Sequence, residues 1–336
     1  MAEFQKRILA AILKDDYGKP ERGPGGEYIY FYSALETLCQ TVQLFDVGPF
    51  LKQPDLLREK LLKAIDEFKP DLVFFSIFLD ECTPELLDTI RARTKTANWF
   101  PDDQWRFNIY SKHYGKHFST VITTDPYVLK KYTNTGCSDV LLSQFAIKVP
   151  IQAPTTPITY KYDVSFIGVA TTYRTWLISE LRKRGIEVST FGTGWPNGRV
   201  PYEKMPETFC QTKINLNISN SKNYDIRYVL SSIHNFQDFR RTKKNKEQIK
   251  GRHFEICGGY GFQLTNYVEF LEDYFTIGKE IAVYNTIDDM TEKIKFYLEN
   301  EDLRETIVRQ GYERVAKDHT YVQRFKDILN HIFHST

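Results

Sequence analysis

The stretch "KGRHFEICGGYGFQLTNYVEF", from Lys250 to Phe270, brings two cations, a carboxylate and several glycines together between a short predicted helix and a strand. If the helix begins near Arg252, then Arg252 and Glu255 share a face, because they are three residues apart. The N–H groups and the dipole of a helix N-terminus attract phosphate, and Lys250 and Arg252 would strengthen that attraction. Glu255 could accept hydrogen bonds from two adjacent hydroxyls, as on a ribose. The glycines would end the helix and let the backbone approach a ligand. The stretch therefore predicts a nucleoside diphosphate site; an Arg–Glu surface pair before a glycine cap is the alternative that the spacing leaves open.

Around this stretch, short apolar strands alternate with helices along the whole chain. Such strands indicate a parallel sheet with helices on both faces. Between Val149 and Pro157 the composition changes to "VPIQAPTTP", which indicates a linker. We therefore predict an α/β fold of two doubly wound, Rossmann-like domains with a cleft between them. Residues 1–150 would form the first domain, 158–320 the second and 321–336 a terminal helix. Ligands of such sheets bind beyond the carboxyl ends of the strands, so the cleft is the expected site.

The hydrophobic pattern predicts individual elements. Strands are expected within residues 7–13, 69–78, 119–125, 139–145, 162–168, 186–192, 213–219, 261–267 and 280–285. Helices are expected within residues 28–42, 56–68, 172–185, 287–300, 301–319 and 320–333.

Composition narrows the class of protein. The chain has 336 residues, of which 41% are hydrophobic and 26% charged, as in soluble globular proteins. The net charge of +2 argues against a dedicated nucleic-acid binder. The basic run "RRTKKNK", Arg240 to Lys246, could contact phosphates, but a solvated loop or helix end explains it as well.

The cysteines and the apolar runs bear on the compartment. The chain has five cysteines and no C-x-x-C pair, which predicts a reduced, cytoplasmic protein without disulfides or a zinc site. No apolar run approaches the ~20 residues that span a bilayer, so we expect no transmembrane segment. The short apolar run near the N-terminus is followed at once by charge and is read as a strand, not a signal peptide.

The carboxyl-terminal quarter resembles a known family. The segments "GRHFEICGGYGFQLTNYVEFLEDYF" and "GKEIAVYNTIDDMTEKIKFYLENEDLRETIVRQGYERVAKDHTYVQRFKDIL" resemble the carboxyl-terminal domain of glycosyltransferases related to the spore-maturation protein CgeB. Weaker similarity lies in "YDVSFIG", "KINLNIS", "TANWFPDDQW" and "VITTDPYVLKKY". The resemblance implies the GT-B fold and transfer of a sugar from a nucleotide-diphosphate sugar.

The resemblance also implies roles for residues of the opening stretch. Glu255 would hold the donor ribose, and Lys250 and Arg252 the diphosphate. Gly261 and Thr265 would present backbone amides to phosphate. Many retaining members carry a second acidic residue about seven positions before the ribose glutamate. Here Glu247 lies eight positions before Glu255 in a lysine-rich context, so retention or inversion stays open.

Two further segments of the second half are candidates for donor contact. In "FIGVATTYR", Gly168 permits close backbone approach and Arg174 could reach a phosphate, although a surface arginine explains it equally. In "NLNIS", Asn217 ends a strand and is a candidate for donor contact.

Candidates in the first half belong to the acceptor side. Gly25 and Gly26, in the loop after the first strand, could approach the donor or acceptor. Asp102 and Asp103, in "NWFPDDQWRF", could take a proton from an acceptor hydroxyl, although either could instead cap a turn or helix. His113 is a further candidate base, followed by His117.

These observations predict a glycosyltransferase whose acceptor is a glycan, a protein, a small molecule or a nucleic acid. No Asp-x-Asp occurs in the sequence, so we expect no metal and no other cofactor, with the diphosphate neutralised by Lys, Arg and a helix dipole. A nucleotide-sugar epimerase of the same fold and a non-catalytic nucleotide-binding protein are the alternatives.

Overall fold

The computed structural model describes residues 2–78 and 80–334. The chain forms two compact units. The first contains residues 1–144 together with 321–336, and the second contains residues 145–320. Each unit has its own parallel sheet, so the α/β class and the two Rossmann-like sheets are confirmed.

Within the described residues, the first unit has six parallel strands in the order β2-β1-β3-β4-β5-β6. The strands are β1 (Phe4–Ile12), β2 (Cys39–Asp46), β3 (Leu72–Phe75), β4 (Lys95–Phe100), β5 (Thr120–Thr123) and β6 (Val140–Leu142). The helices are α1 (Ser33–Leu38), α2 (Pro54–Phe68), α3 (Pro84–Arg91), α4 (Asp103–Arg106), α5 (Lys112–Tyr114), α6 (Leu129–Asn134) and α14 (Tyr321–His334). Strand β1 lies where the strand order reverses, between β2 and β3.

The predicted helix over residues 28–42 is wrong in its last four residues, 39–42. A π-helical turn over Glu27–Tyr32 leads into α1, and the chain then becomes β2 at Cys39. Strand β2 pairs with β1 alone, as an edge strand. An edge strand of this kind buries little of its surface, so its sequence lacks the continuous apolar run of a central strand. Over so few residues, the spacing of its apolar side chains also fits an amphipathic helix.

Helix α14 completes the core of the first unit. Phe325 is fully buried, and its ring lies 5.4 Å from Phe31, 5.2 Å from Phe74 and 6.2 Å from Trp99, measured between centroids. These rings come from the segment before α1, from β3 and from β4. The terminal helix is therefore part of the first unit.

A buried carboxylate ties α4 to its neighbours. Asp103 is only 2% exposed, and its Oδ2 accepts hydrogen bonds from the Thr123 hydroxyl at 2.6 Å and the Tyr132 hydroxyl at 2.7 Å. Burial raises the pKa of Asp103 to about 6, against hydrogen bonds that lower it. Since this carboxylate is enclosed by the core, the geometry supports a structural role and not the predicted contact with an acceptor hydroxyl.

Within its described residues, the second unit has five parallel strands in the order β11-β10-β9-β7-β8. The strands are β7 (Tyr162–Ile167), β8 (Ser189–Phe191), β9 (Thr212–Asn217), β10 (Gln263–Asn266) and β11 (Ala282–Tyr284). The helices are α7 (Thr172–Lys183), α8 (Met205–Cys210), α9 (Ile226–Leu230), α10 (Ile233–Arg241), α11 (Gly251–Gly258), α12 (Ile287–Glu299) and α13 (Glu301–Asp318). The strand order reverses at β7, so β7 and β9 flank the switch point.

The proline-rich segment over residues 149–157 has neither helix nor strand and lies against the second unit. The Ile151 N–H donates to the Gly258 carbonyl at 3.1 Å, and the Ile151 carbonyl accepts from the Tyr312 hydroxyl at 2.8 Å. Among the described helices, none combines the length and the apolar character that crossing a bilayer requires.

Replacing Phe325 by Ala should lower the free energy of unfolding by about 3–5 kcal/mol, because it leaves a cavity among three aromatic rings. Phe296→Ala is the matched control, since Phe296 also lies on a helix but is 47% exposed. Calorimetric unfolding of both variants tests this. Equal melting temperatures for the two would contradict the role of α14 in the core.

The burial of Asp103 predicts a pH dependence of stability. Its folded-state pKa of about 6 exceeds the ordinary value of 3.8, so the folded protein binds the proton more tightly than the unfolded chain. This contribution is present below about pH 4 and is lost as the pH rises through about 6, amounting to about 3 kcal/mol. Asp103→Asn should remove it. Urea unfolding of wild type and variant across this range measures the difference, and parallel pH profiles would refute the assignment.

Candidate functional site

A polar pocket opens at the switch point of the second sheet. Its lining comes from the end of β7, from the segments after β9 and β10, from α7 and from the start of α11. The lining residues include Phe166, Ile167, Gly168, Arg174, Asn217, Ile218, Ser219, Asn220, Gln248, Lys250, Arg252, His253, Asn266 and Val268. The structure thus brings together the predicted residues Lys250, Arg252, Arg174, Gly168 and Asn217, which come from four separate segments.

Arg174 is anchored by backbone carbonyls at the end of β9. Its Nε donates to the carbonyls of Ile218 at 3.0 Å and Ser219 at 3.2 Å, and its Nη1 donates to the Val169 carbonyl at 3.1 Å. Burial and, to a smaller extent, the nearby cation Arg252 together lower the pKa of Arg174 to about 10. Two guanidinium groups that repel each other at one pocket favour an anionic ligand there.

Arg252 and Glu255 form the predicted pair on one face of α11. Arg252 Nη1 lies 2.8 Å from Glu255 Oε2, and the guanidinium is 5.2 Å from the centre of the Phe209 ring. At Gly251, a Cβ would lie 3.3 Å from Glu255 Oε1, so a side chain at this position would crowd the carboxylate. Glu255 is not among the residues that line the pocket itself.

The start of α11 is fixed by a neutral histidine. The Lys250 N–H donates to His253 Nδ1 at 3.1 Å, and His253 Nε2 lies 3.3 Å from the Thr265 hydroxyl. Burial lowers the pKa of His253 to about 4. We assign the Nε2–H tautomer, because the Thr265 hydroxyl can then accept from the ring and donate to the Asn266 carbonyl at 3.1 Å.

Thr265 therefore acts through its side chain on His253. It is fully buried and does not line the pocket, whereas Asn266 next to it does. The predicted contact of the Thr265 backbone with phosphate is not what this arrangement shows. The hydroxyl instead holds α11 against the end of β10.

The glycines at the end of α11 and just after it serve packing. A Cβ on Gly258 would lie 2.6 Å from the Ile147 side chain, and one on Gly261 would lie 2.8 Å from Asn215 Nδ2. The Gly261 amide, which we expected to face phosphate, donates to the Ile256 carbonyl at 3.0 Å. The left-handed conformation that turns the chain out of the helix belongs to Tyr260, at φ 56°.

Gly168 and Asn217 lie side by side at the carboxyl edge of the sheet. The Gly168 N–H donates to the Phe191 carbonyl at 2.8 Å, and the Gly168 carbonyl accepts from the indole of Trp195 at 2.9 Å. The Asn217 amide reaches Gln263 Oε1 at 3.4 Å. Both predicted residues therefore belong to the wall of the pocket.

Glu247 lies beside the pocket, although the sequence did not assign it a role. Burial raises its pKa, while hydrogen bonds from Ser219 and Ser221 and the charge of Arg174 oppose that rise. Ser219 and Arg174 both line the pocket. The signal in the sequence was the distance of eight residues to Glu255, which a lysine-rich context obscured.

Candidates of the first unit lie near the carboxyl ends of β1 and β4. The Gly25 N–H donates to the Lys14 carbonyl at 2.8 Å, and Gly26 precedes the π-helical turn. Asp102 is the residue before α4, and its side chain makes no capping hydrogen bond. Burial raises the pKa of Tyr17, in the loop after β1, and the Asp102 charge contributes, so this carboxylate faces that loop.

The two histidines differ in their surroundings. His113 is exposed on α5. His117 Nδ1 lies within hydrogen-bond distance of Asp88 Oδ1, at 2.9 Å. In the part of the chain that the structure describes, no three His, Cys, Asp or Glu side chains converge as the ligands of a metal would.

Comparison with known proteins connects this site with a chemistry. Residues 174–330 match a family described as "Glycosyl transferase-like". The matched region begins at Arg174 and includes most of the second unit and most of α14. It amounts to just under half of the chain. A comparison with curated protein sequences gave no match.

Solved structures share the fold of both units. Sucrose-phosphate synthase from Thermosynechococcus elongatus has a TM-score of 0.66 at 10% identity, over 99% of this chain and 100% of that one. HepE of Anabaena, in complex with UDP and glucose, has a TM-score of 0.61 at 12% identity, over 98% and 100%. The lipopolysaccharide outer core galactosyltransferase WaaB has a TM-score of 0.57 at 11% identity, over 97% and 99%.

At identities of 10–12%, these solved structures establish the fold alone. The indication of glycosyl transfer comes from the family match over residues 174–330. Taken together, the two comparisons identify the chain as a glycosyltransferase-like enzyme with the GT-B fold.

Proposed function

We propose that this enzyme binds a nucleotide-diphosphate sugar in the pocket of the second unit and transfers its sugar to an acceptor hydroxyl. The observation that carries the proposal is the convergence of Arg174, Lys250 and Arg252 on one pocket beyond the carboxyl edge of a parallel sheet. The start of α11 adds backbone N–H groups and the positive end of a helix dipole. HepE, which has the same fold, was solved with UDP and glucose bound.

The cations suit the leaving group of such a reaction. The acceptor oxygen forms a bond to the anomeric carbon while the bond from that carbon to the diphosphate oxygen breaks, and the hydroxyl proton passes to a base. Negative charge then grows on the diphosphate. Fixed guanidinium groups at that position stabilise the transition state without reorganising. We propose that these groups suffice and that the reaction needs no metal ion.

The carboxylates of the second unit suit the rest of the donor. We propose that Glu255 accepts hydrogen bonds from the ribose, since the glycine at position 251 keeps a side chain from crowding its carboxylate. Glu247 lies beside Arg174 and Ser219, and we propose that it contacts the transferred sugar. Membership of the group related to CgeB is also proposed, from the resemblance of the last quarter of the chain.

In the first unit, we propose Asp102 and not Asp103 as the base. Asp103 is enclosed by Thr123 and Tyr132, whereas Asp102 faces the loop after β1 at the carboxyl edge of the sheet. Gly25 and Gly26 lie in that same loop region. The acceptor class stays as predicted from the sequence: a glycan, a protein, a small molecule or a nucleic acid.

A screen of nucleotides and nucleotide sugars by thermal shift, followed by product analysis with and without acceptors, tests the proposal. Transfer that requires an acceptor supports it. Conversion of the nucleotide sugar without any acceptor would favour the epimerase. Tight nucleotide binding without turnover would favour a binding protein.

Replacing Glu255 by Gln should weaken nucleoside diphosphate binding about 10-fold to 100-fold and leave pyrophosphate binding unchanged, because a charge-assisted hydrogen bond to the ribose is worth about 1.5–3 kcal/mol. Calorimetric titration with both ligands measures the contrast. Glu180→Gln is the control, since the Glu180 side chain is similarly buried and also pairs with an arginine. Unchanged affinity of the Glu255 variant for the nucleotide would remove its role.

Sugar transfer should persist in excess EDTA, because the diphosphate is neutralised by Arg174, Lys250 and Arg252. The rate of product formation before and after chelation decides this. A rate that falls to background and returns with Mg²⁺ or Mn²⁺ would show that a metal ion takes part.

A further inference from the structure

Residues 222–246, which we call the helical insertion, leave the second unit after β9 and return next to their starting point. The Lys222 N–H donates to the Lys244 carbonyl at 2.6 Å, so the two ends lie side by side. Asn220 just before the insertion and Gln248 just after it both line the pocket. The insertion, which contains α9 and α10, is therefore fixed at the edge of the proposed donor site.

The helical insertion carries an apolar surface that the described residues leave uncovered. Of fifteen exposed large hydrophobic side chains in the described part of the chain, five fall within residues 224–236. These are Tyr224 at 67%, Ile226 at 63%, Leu230 at 72%, Ile233 at 79% and Phe236 at 44% exposure. Single exposed apolar residues are ordinary, but a cluster of this kind marks an interaction surface.

The apolar side chains are arranged by helical spacing. Ile226 and Leu230 are four residues apart on α9, and Ile233 and Phe236 are three apart on α10, so each pair shares a face. The buried Tyr228 of α9 faces the protein instead. The four residues of these pairs are exposed, while Tyr228 and Val229 of α9 and Asn235 of α10 are buried.

The same insertion is strongly basic. Residues 222–246 contain seven Lys and Arg against two Asp, although the whole chain has a net charge of only +2. The two aspartates are engaged within the insertion: Asp225 pairs with Arg227 at 2.8 Å, and Asp238 accepts from the Tyr228 hydroxyl at 2.6 Å. Arg240 is exposed and continues the face of Ile233 and Phe236 on α10.

We propose that the helical insertion docks on the surface of an anionic lipid bilayer. Helices with aliphatic side chains on one face and Lys or Arg beside them lie in the interface, where the apolar side chains enter the acyl boundary and the cations meet anionic headgroups. The positive charge of the insertion complements the negative charge of anionic headgroups, and this is the reason for proposing an anionic bilayer as the partner. Docking would place the pocket next to the membrane, and it does not depend on the transfer reaction.

Two other occupants fit the surface less well. A nucleic acid would meet the cations but would leave Ile226, Leu230 and Ile233 in water. A second copy of the chain would cover the aliphatic side chains but would bring two strongly basic insertions together, which is electrostatically unfavourable.

Flotation of the full chain with vesicles tests the proposal. Vesicles of equimolar phosphatidylcholine and phosphatidylglycerol should carry the protein to the top of the gradient, and vesicles of phosphatidylcholine alone should not. The double variant Leu230→Ser/Ile233→Ser and the triple variant Arg240→Gln/Arg241→Gln/Lys243→Gln should each reduce the partition coefficient by about tenfold or more.

Matched controls separate docking from misfolding. The double variant Ile109→Ser/Val149→Ser removes apolar side chains outside the insertion that are 60% and 71% exposed. The double variant Lys63→Gln/Lys295→Gln removes exposed charges outside the insertion. Each of these control variants should bind vesicles as the wild type does. Unchanged melting temperatures show that all variants are folded. Equal binding to both kinds of vesicle, or to neither, overturns the proposal. A triple variant that loses binding to RNA but keeps binding to vesicles would also overturn it, because the cations would then serve a nucleic acid. A wild-type dimer in sedimentation that only the double variant abolishes would overturn it as well, because the apolar surface would then be a dimer interface.

Discussion

The hydrogen bonds between Arg174 and the carbonyls of Ile218 and Ser219 organise the second unit. A parallel sheet that reverses its strand order leaves backbone groups without a strand partner where the connections after β7 and β9 run in opposite directions. A buried carbonyl without a donor is costly, and a guanidinium can serve several at once. Because Arg174 does this, a cation becomes fixed at the carboxyl edge of the sheet. The same bonds that complete the fold therefore place positive charge where an anionic ligand binds.

At the start of α11, the same residues again stabilise the fold and shape the pocket. His253 is buried, neutral and held between the Lys250 amide and the Thr265 hydroxyl. It fixes the first turn of the helix without adding a third positive charge beside Lys250 and Arg252. A protonated ring there would repel the neighbouring charge of Lys250 and would be costly to bury. The neutral ring thus leaves the positive charge of this part of the pocket to Lys250 and Arg252.

The sequence predicted the site residues that lie close together along the chain. It did not predict the roles that depend on how separate segments pack. Lys250, Arg252 and Glu255 follow from the spacing of one helix. The role of Gly261 does not, because its amide donates to the Ile256 carbonyl at the end of α11 and its Cα lies close to Asn215. Asp103 has the residue type of a base, but burial between Thr123 and Tyr132 is a property of three separated segments. Likewise, most of the central strands were evident as continuous apolar runs. The central strand β4 was not among the predicted strands, the edge strand β2 was predicted as helix, and α9 and α10 were not predicted.

The return of α14 to the first unit has a consequence for how the protein is made. Strand β4 and the other elements around Phe31, Phe74 and Trp99 emerge early in synthesis, but their core lacks Phe325 until residues 321–334 have been added. The second unit has all its strands by then, and its two ends are joined by the bond from the Ile147 amide to the His319 carbonyl at 3.1 Å. Translation therefore favours completing the second unit first. During elongation, the nascent first unit exposes aromatic surface that only the last helix covers, which makes it the part of the chain that chaperones would need to protect.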